Sequence, residues 1–191
     1  MSVFGEYSKY YDLLYTDKDY QKEANYISEL IKFHKPKGKK IIEFGCGTGI
    51  HASLLAKLGY QVTGIDRSKD MINEANNRLA TLPLKERNKL SFKQGDIKKA
   101  KIKNDFDICI SLFHIISYLT TNTDVINTFT SARKNLRRDG LFIFDCWYGP
   151  AVLGIMPSVK EKIVENDKIK LVRIATPQIH PNECIVDVNY R

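Results

Sequence analysis

The chain has 191 residues, of which 43% are hydrophobic and 27% are charged, so it is long enough for one full core and is not a low-complexity chain. No apolar run approaches the ~18 residues of a membrane span, and the N-terminus lacks the basic and apolar regions of a secretory signal. The four cysteines are scattered without a C-x-x-C pair, which disfavours a zinc site or a disulfide framework and favours a cytoplasmic protein.

The net charge of +8 raises the question of a nucleic-acid partner. The basic residues cluster at 35–40, 85–89, 98–103 and 133–138, and each cluster lies just before a predicted strand. In an open α/β sheet the ligand binds beyond the carboxyl ends of the strands, so these clusters belong to the opposite edge. A solvated basic face is therefore favoured over a nucleic-acid groove.

The N-terminal stretch is rich in aromatic side chains. These are Phe4, Tyr7, Tyr10, Tyr11, Tyr15 and Tyr20. They either fasten the N-terminus to the domain or form a lid whose rings face a cationic ligand, since a cation is attracted to an aromatic face. Helical spacing then predicts a helix over residues 18–34, which Pro36 and Gly38 end.

Residues 39–66 carry the most informative pattern. An apolar strand over 40–44 leads into three glycines at every second position, and a helix and a second strand follow, ending at Asp66. This order of elements is half of a nucleotide-binding βαβ unit. Glu43 precedes the glycines, where its carboxylate would repel a pyrophosphate but suit a cation, and Asp66 can accept hydrogen bonds from ribose hydroxyls.

Strands and helices alternate over the rest of the first 150 residues. Further strands are predicted over 90–94, 106–112 and 141–145. Ser68 is expected to cap a helix that runs to about Leu79, and Asp124 to cap a helix that ends near Arg138, at an Asp139-Gly140 turn. This alternation is typical of a parallel sheet that is covered by helices.

The C-terminal segment has a different pattern. Three strands are predicted over 161–165, 169–175 and 183–190, and the last of them alternates apolar and polar residues. No helical pattern is recognised after residue 150.

The motif Glu43-x-Gly45-x-Gly47-x-Gly49, with Asp66 after the second strand, resembles motif I of class I S-adenosylmethionine-dependent methyltransferases. The resemblance implies a doubly wound, mostly parallel Rossmann-like α/β sheet. Residues 1–150 would form the cofactor-binding core with its aromatic lid, and residues 151–191 an antiparallel β extension of the same domain. The family's sheet closes with further C-terminal strands, which are expected to be missing here.

The same resemblance implies the residues of the site. S-adenosylmethionine is the implied cofactor, and its candidate ligands are Tyr11, Tyr20, Glu43, Gly45, Cys46, Gly47, Gly49, Asp66, Arg67, Met71, Asp96, Ile97 and Leu112. Asp96 would accept from the adenine amino group and the Ile97 N–H would donate to the ring, whereas Met71 either contacts adenine or belongs to the core. His114 and Tyr118 follow the fourth strand and are the candidate catalytic proton acceptors. No metal is implied, because no histidine or carboxylate cluster has ligand spacing.

Several short stretches resemble sugar amine N-methyltransferases, which dimethylate an amino group on a nucleotide-linked deoxysugar. They are Tyr11-Asp12-Leu13 with Tyr20, Gly49-x-His51, the segment 112–119 and the run 145–150. The chain departs from that family at Cys146-Trp147-Tyr148, where those enzymes have Pro-Trp-Trp.

The sequence therefore predicts an S-adenosylmethionine-dependent methyltransferase of a small molecule, with a sugar amino group as the candidate acceptor. Two alternatives stay open: an NAD-dependent oxidoreductase of the same topology, and a non-catalytic subunit that binds a partner through its basic edge or an open C-terminal edge. An RNA methyltransferase is disfavoured because the Asn/Asp-Pro-Pro-Tyr signature is absent after the fourth strand. A homodimer is considered as the assembly, and no membrane partner is predicted.

Overall fold

The computed structural model describes residues 5–102, 105–167 and 169–191. They form two compact units. The first contains residues 18–146 with the segment up to Tyr11, and the second contains residues 12–17 and 147–191. Every residue predicted to bind the cofactor or to accept a proton belongs to the first unit. Phe4 and Lys103, which belong to the predicted aromatic stretch and to a predicted basic cluster, lie outside the described residues.

The first unit is built on a five-stranded parallel sheet in the order β3-β2-β1-β4-β5. Its strands are β1 (Lys40–Phe44), β2 (Gln61–Asp66), β3 (Leu90–Gln94), β4 (Phe106–Ser111) and β5 (Leu136–Phe144). The predicted parallel α/β sheet is confirmed. The strand order reverses between β1 and β4, and ligands bind to sheets of this kind beyond the carboxyl ends of the strands at such a reversal.

Six α-helices and one 3-10 helix, Ile115–Tyr118, precede residue 147 in the described ranges. The α-helices are α1 (Gly5–Leu14), α2 (Tyr20–His34), α3 (Ile50–Lys57), α4 (Lys69–Thr81), α5 (Leu84–Arg87) and α6 (Asn122–Asn135). Ser68 caps α4 as predicted, since its hydroxyl accepts a hydrogen bond from the Met71 N–H at 3.3 Å. No helix within the described ranges is long and apolar enough to cross a bilayer.

The central strands are buried on both faces. Ile41 and Ile108 belong to a core layer that also contains residues of α2 and α3. Ile42 and Cys109, their neighbours in sequence, belong to a second layer that includes Ala132 of α6. This burial explains why β1 and β4 are apolar at consecutive positions instead of alternating, as expected of central strands in a parallel sheet.

The predicted cap of α6 is wrong. Thr121 caps the helix, and its Oγ1 accepts a hydrogen bond from the Asp124 N–H at 3.1 Å. Asp124 instead lies in the first turn, where its negative charge interacts favourably with the partial positive charge of the helix N-terminus. Its carboxylate also pairs with Lys98 Nζ at 3.1 Å.

The predicted end of α6 is also wrong, because the helix ends at Asn135 instead of near Arg138. Asn135 is fully buried. Its side chain donates to the Ala100 carbonyl at 2.8 Å and accepts from the Ile102 N–H at 2.8 Å, so it fixes the connection between β3 and β4. These long-range hydrogen bonds anchor the last residue of α6 to the segment that joins β3 to β4.

As a result β5 begins at Leu136, earlier than the predicted residue 141. Leu136 pairs with Phe106, whereas Ile108 pairs with Leu141, so the ladder shifts register between these two pairs. The predicted Asp139-Gly140 turn is therefore a bulge inside the strand, with Asp139 at φ 62°.

The second unit contains α7 (Gly149–Gly154) and an antiparallel sheet in the order β6-β7-β8. Its strands are β6 (Lys160–Glu165), β7 (Lys170–His180) and β8 (Ile185–Tyr190). The predicted antiparallel extension is confirmed, although β7 runs further than predicted. The expectation of no helix after residue 150 is wrong, since α7 extends to Gly154. With six residues this helix is too short to show a periodic pattern in the sequence.

Candidate functional site

A glycine turn joins β1 to α3 and lies at the carboxyl end of the sheet. Gly45, Gly47 and Gly49 all have positive φ angles, of 73°, 52° and 76°. A Cβ atom on Gly45 would lie 2.6 Å from the Ile115 side chain, whereas a Cβ on Gly47 would meet nothing within 4 Å. The turn is therefore closely packed at Gly45 and open at Gly47, which leaves the backbone there accessible to a ligand.

Hydrogen bonds hold this turn to its neighbours. The N–H groups of Gly45 and Cys46 both donate to the Ile65 carbonyl of β2, at 2.8 and 3.0 Å. From the other side, Arg78 Nε of α4 donates to the Thr48 carbonyl at 2.9 Å. The turn is thus fixed before any ligand binds, and a ligand would not have to order it.

The two predicted acids lie on the same edge of the sheet, at the ends of β1 and β2. Glu43 is only 2% exposed, and its Oε2 has no hydrogen-bond partner among the described residues. Burial, together with the nearby charge of Asp66, raises the pKa of Glu43 to about 8. A buried polar atom without a partner costs free energy, and a ligand that supplied a donor or a positive charge would remove this cost.

Asp66 supports the turn with its carboxylate. Its Oδ2 accepts from the Gly47 N–H at 2.9 Å, and its Oδ1 accepts from the Ser68 N–H at 2.8 Å. Burial raises the pKa of Asp66, although these backbone hydrogen bonds act in the opposite direction. Each carboxylate oxygen has a second lone pair, so both can accept a further hydrogen bond from a ligand.

The Cys46 side chain points into the protein. It is 6% exposed, and a Cβ atom on Gly64 of β2 would lie 2.8 Å from its Sγ. Burial, with added effects of the Glu43 and Asp66 charges, raises the pKa of the Cys46 thiol. Only the backbone of Cys46 can therefore serve a ligand at this turn.

Asp96 and Ile97 follow β3 at the same edge of the sheet. Asp96 Oδ1 accepts from the Lys98 N–H at 2.9 Å, which fixes the acidic turn, and the Ile97 side chain packs against the core layer on the α6 face. A cavity of about 330 Å³ lies beside this turn. It is lined by Ile65, Lys93, Gln94, Gly95, Asp96, Lys99, Ala100 and Ile102.

The other candidate ligands have varied surroundings. Met71 and Leu112 are buried, and Leu112 belongs to the core layer with α2 and α3. Tyr11 lies half-buried in α1. Arg67 is exposed, and its carbonyl accepts from Gln94 Nε2 at 3.1 Å.

The segment after β4 carries both candidate proton acceptors. Phe113 and His114 both have φ near 63°, which non-glycine residues adopt only when their surroundings impose it. The carboxylate of Asp145, at the end of β5, accepts from their N–H groups at 3.2 and 2.9 Å. His114 is half-exposed with its Nδ1 3.7 Å from Asp145 Oδ2, and Tyr118 is 64% exposed.

The model of a methyltransferase domain matches residues 41–140, which include the glycine turn, both acids and the segment after β4. The chain belongs to this methyltransferase family. The predicted family and its fold class are therefore confirmed.

The chain has a relative that is named for methylation of an amino sugar. The chain is 27% identical over 147 residues to the dTDP-3-amino-3,4,6-trideoxy-alpha-D-glucopyranose N,N-dimethyltransferase of Streptomyces venezuelae, covering 76% of this chain and 59% of the relative. The chain thus spans somewhat more than half the length of that protein.

Solved structures share the fold of this chain. The crystal structure of Streptomyces venezuelae DesVI has a TM-score of 0.78 at 22% identity, covering 97% of this chain and 81% of that one. CalS10 of Micromonospora echinaspora, described as a SAM-bound amino pentose methyltransferase, has a TM-score of 0.73 at 20% identity, covering 94% and 72%.

Sequence reasoning missed two parts of the candidate site. The first is Asp145, which was named only within the family-like run 145–150 at the end of a predicted strand. The second is a group of side chains that we call the Lys18 cluster, which consists of Lys18, Tyr20, Glu23, His51 and Phe113. Its members come from three separate stretches of the sequence. Tyr20, His51 and Phe113 belong to the short family-like stretches, whereas Lys18 and Glu23 had no such signal.

Proposed function

We propose that the chain binds S-adenosylmethionine at the glycine turn and transfers its methyl group to an amine of a small molecule. The observation that carries this proposal is Glu43, a buried carboxylate with an unpartnered oxygen beside an open turn in a methyltransferase domain. Neither a dry core nor a phosphate site explains a carboxylate placed there.

The charge of this site fits the proposed cofactor. S-adenosylmethionine supplies an activated methyl group on a positively charged sulfur and also carries an ammonium group. With its pKa raised to about 8, the Glu43 carboxyl is mainly protonated at neutral pH without a ligand. A positive group bound beside it would favour the ionised form, in a buried setting where their attraction is strong. The same carboxylate would repel the pyrophosphate of a dinucleotide, so the site favours this cofactor over NAD.

The remaining candidate ligands receive roles within this proposal. Asp66, already bound to the Gly47 N–H, has free lone pairs for ribose hydroxyls. Asp96 would accept a hydrogen bond from the adenine amino group, and the Ile97 N–H would donate one to the adenine ring. Apolar and aromatic walls would come from Tyr11, Tyr20, Met71 and Leu112, and backbone or flanking contacts from Gly45, Cys46, Gly47, Gly49 and Arg67.

On the acceptor side, His114 and Tyr118 are the candidate catalytic residues. An amine attacks only in its neutral form, so a nearby group that takes its proton promotes the reaction. Both side chains are accessible, and Asp145 fixes the backbone of the segment that carries them. Alignment of the two substrates would supply most of the rate acceleration.

The amine class rests on the relatives. One is named for N,N-dimethylation of a dTDP-linked amino sugar, and a solved neighbour is described as an amino pentose methyltransferase. We therefore propose an amino group on a nucleotide-linked sugar as the acceptor.

The cofactor is tested by isothermal titration calorimetry with S-adenosylmethionine and with NADH. We expect binding of the first and none of the second, and the opposite result would overturn the proposal. Glu165→Gln, which changes an exposed carboxylate in the second unit, is the control for Glu43→Gln and should bind like the wild type.

The acceptor is tested by single-turnover transfer of a labelled methyl group to a dTDP-amino sugar and to the matching hydroxy sugar. We expect label on the amino sugar alone. His114→Gln and Tyr118→Phe should slow this transfer while cofactor affinity stays at the wild-type value. Transfer to the hydroxy sugar, or full rates in both variants, would contradict the assignment.

A further inference from the structure

The Lys18 cluster joins three segments of the first unit. Lys18 lies just before α2, Glu23 lies in the first turn of that helix, His51 lies in the first turn of α3, and Phe113 follows β4. The His51 imidazole is only 7% exposed, and its Nε2 is 2.8 Å from Glu23 Oε2. Lys18 pairs with the other carboxylate oxygen, Oε1. One carboxylate therefore binds two basic groups from different parts of the chain.

Glu23 stays charged in this arrangement. The hydrogen bond with His51, supported by Lys18, lowers its pKa to about 2 although partial burial acts to raise it. An ionised carboxylate can only accept hydrogen bonds, so His51 Nε2 is the donor and carries the proton. The orientation of the imidazole ring is therefore set by Glu23.

The oriented groups contact two aromatic rings. The Tyr20 ring meets the His51 ring edge-on, with centroids 5.0 Å apart and planes at 66°. The Lys18 ammonium lies 5.1 Å from the Tyr20 centroid and 4.5 Å from the Phe113 centroid, within the range of cation–π attraction. Tyr20 is thus held by contacts with both partners of Glu23.

The position of the cluster relates it to the glycine turn. His51 lies two residues after Gly49, the last glycine of the turn, and Phe113 precedes His114 in the segment whose Ile115 side chain packs on Gly45. A shift of either segment would change the walls of the turn. The cluster connects both of them to the start of α2.

We propose that Glu23 is a positioning residue for cofactor binding, because it holds Lys18 and His51 and through them fixes Tyr20 and Phe113 at the glycine turn. This inference rests on the proposed function, since it assigns the cluster to the same cofactor site. Glu23 itself acts without touching the cofactor. Its loss therefore raises the dissociation constant of the cofactor, while the methyl-transfer rate at saturating cofactor is unchanged.

The test uses the full chain with Lys18→Met, Glu23→Gln and the double variant. Lys18→Met keeps the apolar stem of the side chain and removes the charge. Calorimetry with S-adenosylmethionine should show about 5- to 10-fold weaker binding for each single variant. The double variant should bind about as weakly as the weaker single variant, because both changes break one connected network.

The matched control is the Lys40–Asp105 pair at the amino end of β1, with 2.9 Å between Nζ and Oδ2. Lys40→Met and Asp105→Asn remove the same kinds of charge at the far edge of the sheet and should leave cofactor affinity unchanged. A second measurement needs no ligand: amide hydrogen exchange over residues 18–23 should be faster in the cluster variants than in the wild type.

The outcomes separate the two proposals. This inference is overturned and the proposed function stands if the wild type binds the cofactor and any one of three results is seen. The cluster variants bind it as well as the wild type, the two losses of affinity multiply in the double variant, or the control variants bind it as weakly as the cluster variants. If the wild type binds no cofactor while exchange over residues 18–23 still rises in the variants, the cofactor assignment itself has failed and the inference fails with it.

Discussion

The two ends of the parallel sheet each contain a buried carboxylate, and their surroundings are opposite. At the amino end, Asp107 accepts from the N–H groups of Lys39 and Lys40 at 2.9 and 3.0 Å, and from Arg137 at 3.0 Å. Burial acts to raise its pKa, but these hydrogen bonds and the Arg137 charge lower it. At the carboxyl end, Glu43 has an oxygen without a partner, and burial raises its pKa to about 8.

The difference shows that burial alone does not assign a role to a carboxylate. Asp107, on β4, accepts from backbone groups at the start of the neighbouring strand β1 and so contributes to the fold. Glu43 Oε2 has no hydrogen-bond partner among the described residues, so this buried group lowers the stability of the protein without a ligand. A carboxylate that is costly to the fold and close to an open turn is a candidate for ligand binding.

The largest expected effect separates these two acids directly. Glu43→Gln should weaken S-adenosylmethionine binding by about 100-fold, because it removes a charge-assisted contact worth about 2 to 3 kcal/mol, while stability stays the same or rises. Asp107→Asn should leave binding unchanged and cost about 1 to 3 kcal/mol of stability, because the amide keeps an acceptor for the Lys39 and Lys40 N–H groups but turns a donor, without charge, towards Arg137. Calorimetry and urea unfolding measure the two quantities, and equal effects of both changes on binding would contradict the contrast.

The glycine turn sharpens the comparison at the carboxyl end itself. Gly45→Ala should cost at least about 2 kcal/mol, since its Cβ would overlap Ile115 and left-handed backbone adds about 1 to 2 kcal/mol of strain. Gly47→Ala has open space around its Cβ and should cost only the strain. Thermal unfolding compares them, and an equal loss of stability would show that Ile115 moves away freely.

The two acids should also give stability opposite dependences on pH. The folded pKa of Glu43 is about 8 and its ordinary value is 4.5, so its contribution to stability falls as pH rises between these values. The pKa of Asp107 is lowered from 3.8, so its contribution is present above that value and is lost as pH falls below it. Urea unfolding from pH 5 to 8 should show a decline that Glu43→Gln flattens and Asp107→Asn does not.

The smallest expected effect concerns Asp145, a third carboxylate at the carboxyl end. Asp145→Asn keeps an acceptor oxygen for only one of the N–H groups of Phe113 and His114, because these donate to different carboxylate oxygens, and it also removes the charge. We expect the single-turnover transfer rate to fall by about 3- to 10-fold at saturating cofactor, as for a neutral replacement of a charged acceptor. A loss of cofactor affinity instead would place Asp145 with the cofactor-binding residues.

The parts of the fold that the sequence predicts are those with local signals. Strands β1 to β4 are short apolar runs, and the glycine turn and the Ser68 cap depend on residues close together in sequence. The α6–β5 junction could not be predicted in the same way. It depends on Asn135 bonding to Ala100 and Ile102, and nothing near Asn135 in the sequence indicates these partners.

The residues of the candidate site likewise divide into those with local sequence signals and those that depend on distant partners. Glu43, the three glycines and Asp66 were predictable because one continuous motif contains them. The Lys18 cluster brings together residues 18, 23, 51 and 113, and only the folded chain shows that Glu23 binds both Lys18 and His51. The homodimer, the cytoplasmic location and the division of the chain at residue 150 stay predictions from the sequence.

The buried side chain of Asn135 has a consequence for the order in which the protein matures on the ribosome. The segment it bonds, which includes Ala100 and Ile102, forms part of the cavity wall beside Asp96. During synthesis this wall must wait until α6 has left the exit tunnel. The glycine turn itself needs Ile115, which packs on Gly45, so a nascent chain would complete the turn before it completes that cavity.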